Sequence, residues 1–304
     1  METRILVPLD GSRLAEQALS CALTLGQGLP AELILFRAVS IPSDVQDALD
    51  KADLDPDPLF EKLESEAGEY LEAMIRLVSK PGLSLRQVVR RGLAADAILD
   101  YAEQMDVQFI VMASHGYTGI KRWRHGSVAE RVLQKAGAPL LLVRARETGS
   151  TGLPEACPCR RILVPLDGSP LAEQVLPAVT RIAMALGCEV TLFQVPTLYA
   201  SSSLIGEWYM PRQDTFAIAD EDARVYLERL AGELNQQGIP SATATGAGAV
   251  ADCIIDHADA NDLDLIAMCT HGRTGLARWA LGSVADRVLR AGDKPILLVR
   301  AKKG

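Results

Sequence analysis

Fifteen consecutive residues occur almost verbatim twice in this chain, and no other feature limits its folding so strongly. Residues 4–18 read RILVPLDGSRLAEQA and residues 161–175 read RILVPLDGSPLAEQV, differing only at Arg13/Pro170 and Ala18/Val175. A second segment, His115-Gly116-Tyr117-Thr118-Gly119 through Gly126-Ser127-Val128-Ala129, returns as His271-Gly272-Arg273-Thr274-Gly275 through Gly282-Ser283-Val284-Ala285. The offset is 157 from Arg4 to Arg161 and 156 from His115 to His271, so the copies run in register. A repeat of about 145 residues is a duplicated domain, because solenoid units repeat every 20–50 residues or so. The expected division is a domain over 1–146, a linker over 147–159 (ETGSTGLPEACPC, rich in Gly, Ser and Pro) and a second domain over 160–304.

Within one copy, Ile5–Leu9 is a short apolar run closed by Asp10-Gly11-Ser12. A helical pattern of Leu14, Ala15, Ala18, Leu19, Ala22 and Leu23 follows and ends near Gly26 and Gly28. The spacing predicts a strand over Glu32–Val39, a long polar segment, a helix over Leu63–Val78 and a strand over Ser84–Arg90. A helix over Ala94–Glu103 and an apolar strand over Gln108–Ala113 come next. A Gly-rich loop, a helix over Val128–Ala136 and a strand over Leu140–Arg144 close the copy. The second copy repeats this from Arg161 to Arg300. Strands that alternate with helices and are apolar on both faces imply an α/β fold, a parallel sheet covered on both sides. Right-handed crossovers make each copy doubly wound.

The chain has 304 residues, 48% hydrophobic and 23% charged, with a net charge of −8. An acidic balance argues against a nucleic-acid surface. No apolar run approaches the roughly 18 residues of a membrane span. The opening METRILVPLD runs straight into a strand pattern without a signal peptide. The six cysteines at 21, 157, 159, 188, 253 and 269 show no pairing repeated between the copies. Reduced thiols in a cytoplasmic protein are therefore expected.

Ligands of an open parallel sheet bind at the carboxyl ends of the strands, where strand order reverses. The segments shared most closely by the two copies fall there: Pro8, Leu9 and Asp10 (Pro165, Leu166 and Asp167), and the stretch from His115 and Gly116 (His271 and Gly272) onward. Gly126-Ser127 and Gly282-Ser283 open the next helix, whose free amide donors and positive dipole end suit an anion. Asp10 and Asp167 suit a ribose hydroxyl, or a metal carried on a polyphosphate. Each element alone reads equally as a turn or a cap; their combination in both copies favours a nucleotide site. Gly126 is expected to keep phosphate space clear, so that Gly126→Val abolishes binding while leaving the fold largely intact.

At these residues both copies resemble the universal stress protein domain, and the chain resembles its tandem two-domain form. The nucleotide-binding branch carries G-x2-G-x9-G-[S/T]. Here Ala113-Ser114-His115-Gly116 is followed after nine residues by Gly126-Ser127, and Cys269-Thr270-His271-Gly272 by Gly282-Ser283. The spacing matches twice, with the first glycine replaced by Ala113 and by Cys269. The resemblance implies two five-stranded parallel sheets of order 3-2-1-4-5 with helices on both faces. It implies ATP, or AMP or ADP, with magnesium reaching Asp10 or Asp167 through the bound nucleotide. Adenine would lie at Ala38 and Val195, and Met112 and Met268 would line the adenosine pocket. His115, Gly116, Gly126, Ser127, Val128 and Ala129, with His271, Gly272, Gly282, Ser283, Val284 and Ala285, would wrap the phosphates. No catalytic residue is implied.

Other signals are weaker. Gly246-Ala247-Gly248-Ala249-Val250-Ala251 fits the dinucleotide fingerprint but follows the third strand of its copy, not the first. Cys157-Pro158-Cys159 lacks a second pair at metal-ligand spacing. Histidines 115 and 271 read as loop-ordering groups. Lys121, Arg122, Arg124 and Arg131 around Trp123 read as a solvated basic loop that also reaches phosphate, favouring the first copy as the tighter site. The insert after strand 2 is acidic in the first copy (Asp44 to Asp57) and aromatic in the second (Tyr199 to Met210), the latter read as a lid or a partner surface. Short last strands, Pro139–Arg144 and Pro295–Arg300, are expected to pair the copies as an intrachain pseudo-dimer, with a homodimer and a signalling protein as further partners. Three functions stay open: an adenine-nucleotide sensor of stress, a slow ATP hydrolase, and an adaptor of the same family that binds no nucleotide.

Overall fold

A computed structural model describes residues 3–115, 127–145, 157–196, 213–271 and 281–301. The chain forms two compact units, Met1–Pro158 and Cys159–Gly304. The first runs β1 (Thr3–Pro8), α1 (Arg13–Glu16), α2 (Ala18–Gly28), β2 (Ala31–Val39), α3 (Ser43–Lys51), α4 (Asp57–Val78), β3 (Ser84–Arg91), α5 (Ala94–Gln104), β4 (Phe109–His115), α6 (Ser127–Lys135) and β5 (Leu140–Ala145). All its strand pairings are parallel, in the order β3-β2-β1-β4-β5. The steps β1 to β2 and β2 to β3 move one way across the sheet; the steps β3 to β4 and β4 to β5 move the other. With right-handed crossovers, that reversal places the connecting helices on opposite faces. It also parts the connections leaving the neighbouring strands β1 and β4, which opens a crevice at their carboxyl ends.

The sheet is apolar on both sides because both sides are covered. Ile5, Leu6, Ile34, Leu35, Phe36, Phe109 and Ile110 are buried, and Leu19 and Leu71 close on them from α2 and α4. The edge strand β3 is mostly exposed and carries Arg86, Arg90 and Arg91, charges that discourage pairing with another strand. Arg91 also ties β3 to α4, bonding Asp57 at 2.7 Å and Glu64 at 2.9 Å with its guanidinium 4.7 Å from the Phe60 ring. The helical pattern after β1 is two helices, because Ser12 caps a separate first turn by accepting from the Ala15 amide at 3.1 Å. The acidic stretch after β2, expected as a long polar segment, contains α3, a helix that buries none of its residues.

The second unit repeats the plan with β6 (Arg161–Pro165), α7 (Pro170–Glu173), α8 (Leu176–Leu186), β7 (Glu189–Gln194), α9 (Gln213–Gln236), β8 (Ser241–Thr245), α10 (Val250–Ala260), β9 (Leu265–Cys269), α11 (Ser283–Ala291) and β10 (Ile296–Val299). Its parallel order, β8-β7-β6-β9-β10, is again 3-2-1-4-5. No helix among the described residues is long and apolar enough to cross a membrane.

The expectation of reduced thiols needs correcting. Cys21 on α2 and Cys157 form a disulfide, with their Cα atoms 4.9 Å apart. Thr24 donates to the Cys157 carbonyl at 3.1 Å, so the end of the interdomain segment lies back on α2. Comparing the copies could not find this bond, since Cys157 belongs to neither. Cys159 approaches Cys188 instead, at 3.9 Å between sulfurs, so the two cysteines of Cys157-Pro158-Cys159 have separate partners. Among the described residues no three His, Cys, Asp or Glu side chains gather as a metal site.

Candidate functional site

The crevice of the first unit holds a cavity of about 300 Å³ lined by Pro8, Leu9, Asp10, Ala15, Phe36, Ala38, Ala94, Ile98, Met112, Ala113, Ser127, Val128 and Ala129. Nine of these are residues that the sequence marked out, brought together from the ends of β1, β2 and β4 and the start of α6. Four were missed: Ala15, Phe36, Ala94 and Ile98. Phe36 was visible as the inward neighbour of Ala38 two places along β2. Ala94 and Ile98 share one face of α5 at a spacing of four.

The cavity is apolar in its floor and polar at one end. Leu9, Phe36, Ile98 and Met112 supply hydrocarbon, whereas Asp10 and the α6 terminus at Ser127 supply charge, a hydroxyl and amide donors. Its size falls at the lower end of the usual small-molecule range of about 300–1,000 Å³. Asp10 is exposed, and its Oδ1 accepts from the Ser12 amide at 2.8 Å, while Gly11 turns the chain at φ 87°. The carboxylate therefore shapes this turn as well as facing the cavity. The duplicate does the same: Asp167 Oδ1 accepts from the Ser169 amide at 2.9 Å and its hydroxyl at 2.6 Å.

Behind the turn stands a pair that the sequence reading also missed. Tyr70 donates to Glu16 at 3.1 Å, and Tyr226 donates to Glu173 at 3.1 Å. Burial first, and then the adjacent glutamate, pushes each phenol well above its usual range. The Arg37 guanidinium lies over the Tyr70 ring at 4.9 Å, close against Gly11. The signal was present in the duplication, since both tyrosines and both glutamates recur at the repeat offset.

In the second unit Pro165 ends β6, with Leu166 and Asp167 following; Val195 follows β7; Met268 and Cys269 end β9; and Ser283, Val284 and Ala285 begin α11. Cys269 is buried and donates to the Ala172 carbonyl at 3.5 Å. His271 contacts the Thr270 hydroxyl through Nδ1 at 3.1 Å, and its Nε2 is buried without a partner. Gly282 is held by packing. Its amide donates to the Thr270 carbonyl at 2.8 Å, and a Cβ there would sit 2.9 Å from that same oxygen. Close packing of the helix start on the end of β9 thus requires a glycine whether or not a phosphate is bound.

Gly246, in the apparent dinucleotide fingerprint, faces Phe193, whose ring a Cβ would meet at 2.7 Å. The motif here packs a turn against β7. Of the basic cluster, Arg131 pairs with Asp96 at 2.8 Å. Gly116, Gly126, Gly272, Lys121, Arg122, Trp123, Arg124 and the stretch Tyr199 to Met210 lie outside the described residues, as does the side chain of His115.

The model of the universal stress protein family matches residues 1–144 and again 158–300. A universal stress protein of Methanocaldococcus jannaschii is 29% identical over 141 residues, covering 46% of this chain and 81% of the relative. The crystal structure of a universal stress protein from Archaeoglobus fulgidus, 18% identical, superposes with a TM-score of 0.68 over 99% of this chain and 97% of that one. A universal stress protein solved in complex with cAMP is 22% identical, with a TM-score of 0.34 over 47% of this chain and 98% of that one.

Proposed function

This chain belongs to the universal stress protein family, and on that premise we propose that its first unit binds an adenine nucleotide and serves as a sensor module in a stress response. The observation that carries this reading is the 300 Å³ cavity at the carboxyl ends of β1 and β4, where an apolar floor meets a helix N-terminus and a carboxylate. Its chemistry divides as an adenine nucleotide does. The base and sugar fit against Ala38, Phe36, Ile98 and Met112; phosphate fits at Ser127, Val128 and Ala129, where the α6 amides point outward. Asp10 is placed for a ribose hydroxyl, or for a magnesium ion carried by the phosphates. Such an ion would supply charge neutralisation to the nucleotide, with Asp10 as its protein contact.

The lining supports binding better than turnover. Asp10 is the sole ionisable group among the described residues of the cavity, and it already accepts from the Ser12 amide. A hydrolase needs a group that positions or deprotonates water. The test is mass spectrometry of nucleotide released from protein purified without added ligand, together with melting of wild type, Asp10→Asn and Ser127→Ala with ATP and magnesium. A wild-type shift that both variants reduce is expected. Absence of released nucleotide, with no shift in wild type, refutes the reading in favour of an adaptor, which the replacement of the family's first glycine by Ala113 and Cys269 would then explain.

A further inference from the structure

We propose that Cys269 closes the second unit's counterpart of the cavity, so that the chain offers one adenine-nucleotide site, in its first unit. The proposal rests on the function proposed above for the first unit, but the closure itself is a statement about packing. The two units share strand order, turn and helix start so closely that each acts as a control for the other. In the first, Ala15 and Ala113 both line the cavity and are both half-buried. Their counterparts are Ala172 and Cys269, each 6% exposed. The Cys269 sulfur donates to the Ala172 carbonyl at 3.5 Å, and the Val175 amide also faces it. A thiol thus joins the end of β9 to α7 across the place where, between β4 and α1, the first unit has open space.

Two neighbours work in the same direction. Val195 is buried where Ala38 is half-buried and lines the cavity, and Asp167 is half-buried where Asp10 is exposed. A larger side chain at the base position, with a bridged mouth, removes the volume that an adenosine group needs. Free cysteine packs as a small hydrophobe. Burial pushes this thiol up to about 12, so at neutral pH it stays protonated and keeps its donor. An S–H donor is weak; filled volume does most of the closing, and the hydrogen bond holds the sulfur in place.

Two measurements on the full chain test this. Titration calorimetry with ATP and magnesium should give one nucleotide per chain for wild type and two for Cys269→Ala, while Ala113→Cys should weaken the first site at least about tenfold. N-ethylmaleimide labelling of the native protein, read by peptide mass, should leave Cys269 unmodified and protect equally the thiol introduced by Ala113→Cys. Two nucleotides on wild type overturn the closure while upholding nucleotide binding; one on Cys269→Ala overturns the role of this residue. If no variant binds ATP, the functional reading fails, and labelling alone decides the closure: rapid modification of either thiol overturns it. Wild-type stoichiometry and labelling stand whether or not a variant folds.

Discussion

Gly282→Ala should destabilise the second unit by more than the ordinary preference for glycine over alanine at an N-cap. The backbone there has φ −58°, which any residue adopts, so conformational strain contributes nothing. The cost is contact: the new Cβ would lie 2.9 Å from the Thr270 carbonyl oxygen, and 3.6 Å from the His271 Cα. That oxygen accepts the Gly282 amide at 2.8 Å, so moving it away stretches the bond that fastens α11 to β9. Overpacking of this kind costs about 1–3 kcal/mol, and a weakened hydrogen bond about 1 kcal/mol more. Reduced unfolded-state entropy returns about 0.4–1 kcal/mol. The net loss is about 2 kcal/mol, a fall of roughly 4–8 °C for a unit of this size. Differential scanning calorimetry on the full chain measures it. Gly68→Ala provides the opposite control, because Gly68 lies inside α4 with nothing within 4 Å of its would-be Cβ. It should raise stability by up to about 1 kcal/mol. If Gly282→Ala melts at or above wild type, close packing at the helix start is not what holds the glycine there.

The Cys21–Cys157 disulfide, joining residues 136 apart, should contribute about 2–4 kcal/mol; a first-unit melting temperature that neither reductant nor Cys21→Ser lowers would refute it. His257 stacks on Phe193 at 4.6 Å, and burial holds its pKa below the ordinary value of about 6.5. A depressed histidine contributes stability that is present above that value and lost as pH falls toward the folded one. Urea titrations should therefore show the second unit weakening as pH falls below about 6.5, and His257→Tyr, which copies Tyr101 of the first unit, should remove that slope. The raised phenols of Tyr70 and Tyr226 act at the other end of the scale. Their contribution is complete below pH of about 10 and is lost as pH rises beyond it. The double variant Tyr70→Phe/Tyr226→Phe should lose about 1 kcal/mol at neutral pH and show a flatter alkaline limb; an unchanged alkaline limb would refute the assignment.

Most of the architecture was legible in the chain itself. Strands buried on both faces read as unbroken apolar runs, helices as runs spaced by three and four, and these local periods place β1 through β5 and their duplicates to within a few residues. Duplication added what a single copy lacks: it separated the segments at the carboxyl ends of β1 and β4 from the divergent remainder, which named Pro8, Leu9, Asp10, Ser127, Val128 and Ala129 of the cavity's lining, while Ala38, Met112 and Ala113 came from the family resemblance. Tertiary structure decided what depends on distance between segments far apart in the chain. No period along α2 announces that Cys21 meets Cys157, and nothing in the chain announces that α3, with Val45, Ala48 and Leu49 at helical spacing, buries none of its residues. In sequence Ala113 and Cys269 both replace one glycine, and the larger cysteine already sets the second site apart by size alone. Only folding, which brings the end of β9 against α7, turns the second into a bridge to Ala172 and leaves the first at the wall of a cavity. A side chain's size is written in the sequence, whereas the space it must share is set by residues roughly a hundred positions away, once packing has brought them into contact.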